Sequence, residues 1–142
     1  MTAVHDVFAR AAFRYAAQEI LHVPCIASHA GAICPMSLAY GAARQRVEQL
    51  RQAYVDAGYR DGQRVAIALD NELEFFLQFL ALNALGSSIV PLNAAMSREE
   101  IAYLVMHADA AAVITHKNHA THIRAAVPAL IAVEVVAVGD AS

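Results

Sequence analysis

The stretch from residue 64 to residue 115, RVAIALDNELEFFLQFLALNALGSSIVPLNAAMSREEIAYLVMHADAAAVIT, limits the possible folds more than any other part of the chain. Three short apolar runs, residues 65–69, 88–92 and 111–114, alternate with two stretches of helical periodicity. Antiparallel neighbours can be joined by a tight turn, whereas strands separated by a helix return in parallel. The alternation therefore predicts stacked βαβ units: an α/β fold with a mostly parallel sheet and helices on both faces.

Turn and cap signals bound these elements. Asp61-Gly62 reads as a turn into the first run. Asn71, with Glu74 three residues on, has the pattern of a capping box, and Gly86 is placed to end the helix it opens. That helix is apolar on nearly every side, as expected of one covered on two faces. Ser97 and Glu100 form a second capping box, and Ile101, Leu104, Val105 and Ala108 give the buried face of the next helix. Asn118 is positioned to cap a short helix ending near residue 126, with Pro128 as its stop. Residues 131–138 are a fourth apolar run, and Glu134 within it marks an edge strand or one exposed position.

Ahead of this core, Val4, Val7, Phe8, Ala11 and Tyr15 recur at helical spacing and predict a surface helix lying on that stripe. Residues 24–35 read as an N-terminal hairpin turning at Gly31. Ser37 is the candidate N-cap of a helix over residues 38–57, with Ala43, Val47, Leu50, Tyr54 and Ala57 on its apolar face and Gly58 as its stop. No repeat or linker divides the sequence, so residues 1–142 are taken as a single α/β domain. Residues 139–142 follow an apolar run at a point where an α/β fold would continue, so the domain reads as incomplete.

Composition excludes several partners. Ten basic residues against 13 acidic give no surface for nucleic acid or an anionic membrane. Only 16% of residues are charged while 58% are hydrophobic, the balance of a piece whose apolar surface belongs against neighbours. The first residues show no basic segment followed by an apolar one, and the apolar stretch 75–92 is interrupted by Gln78, Asn83, Gly86 and Pro91, so neither a signal peptide nor a membrane span is predicted. Cys25 and Cys34 have no zinc or redox spacing and are read as small buried residues of a cytoplasmic protein.

Two clusters could carry chemistry. His116, His119 and His122 lie at i, i+3 and i+6, and two of them could share a metal on a helix. No carboxylate or cysteine stands beside them, so they are read as a solvated face, with His5 and His107 as packing or surface residues. Asp70, Asn71, Glu72 and Glu74 follow the first strand at its carboxyl end, where α/β sheets bind ligands. Such carboxylates could hold Mg²⁺ or accept protons, but the capping pattern assigns them to the helix N-terminus. Neither GxGxxG nor GxxxxGK[ST] occurs, and Lys117 is the single lysine. The residues themselves give no catalytic and no metal site.

One ordered series is more specific. Gly58-Tyr59-Arg60-Asp61-Gly62-Gln63-Arg64-Val65-Ala66-Ile67, then Asn71, Glu74-Phe75, Phe79-Leu80-Ala81, Gly86, Val90-Pro91-Leu92-Asn93 and Glu100-Ile101-Ala102-Tyr103 resemble the N-terminal region of the ATP-dependent adenylate-forming enzymes. That family includes acyl- and aryl-CoA synthetases, luciferases and peptide-synthetase adenylation domains. The resemblance runs over essentially the whole chain. Ser37-Leu38-Ala39-Tyr40 departs from it, with the tyrosine displaced from the usual helix entry.

The resemblance implies the first part of the large N-terminal domain of such an enzyme, which uses ATP, Mg²⁺ and CoA. A carboxylic acid, fatty or aryl, is adenylated and a thiol then displaces AMP. The family's phosphate loop, its adenine and ribose contacts and its catalytic lysine belong to segments this sequence does not contain. The segment alone is therefore expected to be inactive, to hold no cofactor and to have the remainder of the enzyme as its partner. Some relatives carry a basic CoA contact just after the Leu-Asn of this region. Here Ala94 and Ala95 follow Asn93, which leaves Arg98 as the nearby candidate. Alone, the segment is expected to self-associate through uncovered apolar surface. A truncated, non-catalytic interaction module of the same fold is the alternative.

Overall fold

The computed structural model describes residues 3–23, 26–28, 31–33, 36–69, 73–127 and 134–138. The chain forms two compact units that share it alternately: Met1–Gly58 with Glu72–Ala84, and Tyr59–Asn71 with Leu85–Ser142.

The first unit holds helices α1 (Val4–Arg14), α2 (Tyr40–Asp56) and α3 (Leu73–Ala84), each packed on the other two. Between α1 and α2 run four strands, β1 (Glu19–Val23), β2 (Ile26–Ser28), β3 (Gly31–Ile33) and β4 (Met36–Ala39). β2 and β3 form the expected antiparallel hairpin, but Ser28 pairs with Gly31, so Gly31 opens a strand instead of making the turn. β1 and β4 add an outer antiparallel pair that the sequence pattern did not show. Cys25, Cys34 and residues 29–30 lie outside the described residues.

The pairing of β1 with β4 also corrects the start of α2. Ser37 sits opposite His22 in the ladder and cannot serve as N-cap; Ala39 precedes the helix and offers no side-chain cap. The leading donors of α2 find carbonyls elsewhere: Tyr40 N–H donates to the Gln18 carbonyl (2.8 Å) and Gly41 N–H to that of Ala16 (2.9 Å). Backbone capping of this kind satisfies the orphan donors of a helix start without a polar side chain. At the other end Gly58 takes φ +91°, the left-handed stop its position predicted.

α1 is rotated from the predicted stripe. Phe8 and Ala12 are buried, whereas Val4 and Val7 remain 53% and 59% exposed. Two contacts set this rotation: Phe8 stacks on Tyr40, with ring centroids 6.3 Å apart, and His5 N–H donates to Asn83 Oδ1 at 2.9 Å. α3 buries Leu77, Leu80, Ala81 and Leu82 together with Gln78, which is 1% exposed. That amide is fully used. Tyr54 Oη–H donates to Gln78 Oε1, and Gln78 Nε2 donates to Glu74 Oε1 at 2.7 Å, which Arg46 approaches to 3.6 Å.

The second unit is the parallel sheet, in the order β6 (Ser88–Pro91), β5 (Arg64–Ala68), β7 (Ala112–His116), β8 (Glu134–Val138). All three pairings are parallel, as the alternation predicted. Pro91 lies on one edge strand, where its missing N–H costs least, and Glu134 on the other. Helices α4 (Arg98–His107) and α5 (Ala120–Ala126) cover one face, where Ala66, Ala68 and Val113 pack with Ile101, Val105, Ile123 and Ala126. Val65, Ile67, Ala112 and Ile114, of opposite pleat, are also fully buried. This burial on both faces explains why the strands read as continuous apolar runs. Asn118 does not cap α5; it lies in a 3₁₀ turn, Lys117–His119, whose cap is His116. His116 Nδ1 accepts the Asn118 N–H at 3.3 Å.

Two glycine turns interlock at the amino end of the sheet. Gly62 N–H donates to the Gly86 carbonyl, Ser88 N–H to that of Gln63, and Ser87 Oγ–H to that of Arg60. Gly86 has φ +78°, and a Cβ there would fall 2.2 Å from Asp61 Oδ1. Gly62, at φ +80°, has open space instead. The Asp61 carboxylate ends an exposed side chain that can swing aside, so Gly86→Ala should cost about 2 kcal/mol, backbone strain plus that displacement, and Gly62→Ala only about 1 kcal/mol. In urea titrations, Asp61→Ala combined with Gly86→Ala should recover the clash and leave only the backbone strain. Equal losses for the two glycine variants would contradict this.

Candidate functional site

From β5 the chain moves one way across the sheet to β6, then back past β5 to β7 and on to β8. The reversal places a topological switch point between the carboxyl ends of β5 and β7, where open α/β sheets bind ligands. Two described segments stand at that edge: the loop from β6 to α4 and the turn after β7.

Between β5 and β7 a buried side chain bridges the two strand ends. Thr115 is wholly buried and its Oγ1–H donates to the Ala68 carbonyl at 3.1 Å, directly across the parallel register. Neither group is free for a ligand. Asp70, Asn71 and Glu72 lie outside the described residues. Glu74 belongs to the first unit, where its carboxylate is used by Gln78 and Arg46.

The loop from β6 to α4 is held by its own polar atoms. Asn93 Oδ1 accepts the Ala95 N–H (2.9 Å) and the Asn93 carbonyl accepts the Met96 N–H (3.1 Å). The predicted capping box is present: Ser97 Oγ accepts from Glu100 N–H and Glu100 Oε2 from Ser97 N–H. Arg98, the CoA-edge candidate, is exposed on the first residue of α4 and makes no ion pair or hydrogen bond with another described residue. Glu99 and Glu100 stand in the same turn. Phosphate binding at a helix start needs free N–H groups and positive potential. Here the cap has consumed donors and two carboxylates oppose an anion, so these residues do not fit ATP phosphates. Lys117, exposed in the turn after β7, already has a partner.

Among the described residues no three His, Cys, Asp or Glu side chains converge, and His116 and His122 are engaged with backbone groups. His116 caps the turn, while His122 is half-buried, with Nε2 3.1 Å from the Met96 carbonyl. The solvated-face reading is thus corrected for His122, whose ring is tied to a loop distant in sequence. Sequence reasoning also missed Gln78 and Thr115. The signal for Gln78 was an amide with apolar residues on both sides along the helix; a threonine ending an apolar run gave no comparable signal.

Electrostatics away from this edge are mild. On α2, Arg51 grips Glu48 through two hydrogen bonds and holds that carboxyl below its ordinary range. The pair is exposed. Its small contribution is present above the ordinary carboxylate range and lost as pH falls through the lowered one.

Structural comparison defines the class. The N-terminal subdomain of NpsA from Klebsiella oxytoca superposes with a TM-score of 0.78 at 20% identity, over 96% of this chain and 31% of that one. The N-terminal domain of FACL13 from Mycobacterium tuberculosis superposes with a TM-score of 0.79 at 17% identity, over 99% of this chain and 34% of that one. The fold is that of the N-terminal domain of adenylate-forming enzymes. In sequence, the model of the AMP-binding enzyme family matches residues 26–142, and the chain belongs to that family. The chain is similar to the crotonobetaine/carnitine–CoA ligases of Citrobacter koseri, 30% identical over 76 residues, and Proteus mirabilis, 32% over 79 residues. These alignments take in 54% and 56% of this chain and 15% of each ligase, so the chain spans a small part of the relatives it matches.

Zinc should not raise the Tm of this chain, since a bound metal would stabilise the fold by mass action and no set of three ligands converges among the described residues. Thermal melts of the chain and of the His119→Ala/His122→Ala variant, with and without zinc, check this. A zinc-dependent rise that the double variant loses would contradict it.

Proposed function

We propose that this chain is the first part of the large N-terminal domain of a cytoplasmic, ATP-dependent acyl- or aryl-CoA synthetase. The family match over residues 26–142 carries the reading. The CoA-ligase relatives favour a carboxylic acid as substrate and CoA as acceptor. In such a reaction the carboxylate attacks the α-phosphorus of ATP and pyrophosphate leaves; the thiol then attacks the acyl carbon and AMP leaves. Forming the adenylate replaces a poor leaving group with a good one. The described residues here do not fit the phosphates, so no step of this chemistry is assigned to them. Their role is to hold: a bridged β5–β7 junction, a self-capped β6–α4 loop, and a helix α3 fixed by a buried polar chain. ATP, Mg²⁺ and CoA belong to the longer enzyme, with Arg98 as a candidate contact at the CoA edge.

A second reading, a non-catalytic interaction module of the same fold, draws on exposed apolar side chains, among them Phe13 (83%), Tyr103 (64%) and Met106 (58%). Either way the 142-residue chain alone should self-associate. Sedimentation equilibrium at micromolar concentration checks this; a monodisperse monomer that binds no hydrophobic dye would contradict it. Purified alone, the chain should show no carboxylate-dependent ATP–pyrophosphate exchange, whereas the enzyme that continues past residue 142 should show it. Exchange by the short chain would overturn the assignment of chemistry to other segments.

A further inference from the structure

The contact between His122 and Met96 joins residues 26 apart in sequence and has no part in the scaffold roles assigned above. Every other hydrogen bond described within residues 93–97 is local: Ala95 and Met96 donate to Asn93, and Ser97 exchanges bonds with Glu100. Local bonds shape the loop but do not fix it against the sheet. Met96 also packs against the core cluster of the second unit, and Ala94 is buried in it. The loop thus has two apolar anchors and one polar tie to a distant element, and the tie comes from α5.

A backbone carbonyl only accepts, so the ring nitrogen facing Met96 must carry the proton. Nε2–H is therefore the donor. From these contacts we propose that His122 is the positioning residue of the β6–α4 loop, holding it at the carboxyl edge of the sheet for whichever substrate meets that edge. This rests on the synthetase reading only for its catalytic consequence.

Amide hydrogen exchange on the 142-residue chain tests the tie, because Ala95, Met96 and Ser97 each carry a hydrogen-bonded N–H that reports the loop. His122→Ala and His122→Phe should each speed exchange at these three amides together by at least about fivefold, the loss expected from one ordinary hydrogen bond. Exchange in β5 and β7 should stay unchanged. His122→Gln, whose Nε2 also donates, should restore slow exchange. Ser97→Ala, which removes only the cap, should act at Glu100 and not at Ala95. Unchanged exchange in His122→Ala, or no rescue by Gln, overturns the tie. In the longer enzyme, His122→Ala should raise the KM of one substrate at least threefold with kcat kept within twofold, and Gln should reverse it. Faster exchange with every KM unmoved overturns the positioning role. A wild-type enzyme that makes no thioester defeats the synthetase reading instead, while the exchange result still decides the tie.

Discussion

A parallel strand pair cannot be closed by a tight turn, and the organisation of this chain follows from how that requirement is met. β5 and β6 are neighbours, yet the segment joining them leaves the sheet's unit, forms α3 as part of the other, and returns at Gly86. α3 must hold one register on its own unit, while Gly86, back in the sheet's unit, is bonded to Gly62. Gln78 fixes that register. An unpaired buried amide oxygen costs on the order of 1–3 kcal/mol, so the register that brings Gln78 Oε1 to Tyr54 Oη–H avoids that loss. Apolar side chains would tolerate a slide along α2; this polar chain does not.

The two ends of the sheet differ in character. The amino end is all turn geometry, glycine against glycine, with little side-chain chemistry. The carboxyl end carries hydroxyl, amide, imidazole and carboxylate groups, the inventory of an active site, but several of the described ones are spent on nearby backbone groups. Thr115 binds Ala68, Asn93 binds its own loop, Ser97 and Glu100 cap α4, and His116 caps the turn after β7. Their partners are backbone atoms, whose positions they fix. A surface of that kind supports chemistry done by residues carried elsewhere, in keeping with an edge that shapes a binding site without supplying its charge.

Much of the second unit was legible because its signals are local. Apolar runs, Gly62, Gly86 and the Ser97–Glu100 box are each read from a few adjacent residues, and each stands where the pattern placed it. The first unit was harder because its decisive contacts are distant. The β1–β4 pair joins short strands with no clean alternation, and it removed Ser37 from its expected cap. The α1 stripe was misplaced because helical periodicity reports an apolar face, whereas the buried face was set by Phe8 on Tyr40 and His5 on Asn83. At the candidate site the histidine spacing was visible, but the carbonyl that claims His122 lies on another element. The family resemblance reached further than any of these, since an ordered series of short words integrates information that no single position holds.

The alternating division of the chain also governs the order in which it can fold as it is made. Synthesis delivers residues from the amino terminus at roughly 5–20 per second. The first unit lacks α3 until residue 84 has emerged, so Tyr54 on α2 waits without Gln78, its hydrogen-bond partner. By then β5 is already out. It is destined for the interior of the sheet, and it is made before both of its neighbours. Both its hydrogen-bonding edges are therefore open in the nascent chain until β6 and then β7 follow. A central strand with two unpaired edges is a template for wrong pairing. On the ribosome, the interval between residues 68 and 112 is when this sequence is most exposed to aggregation.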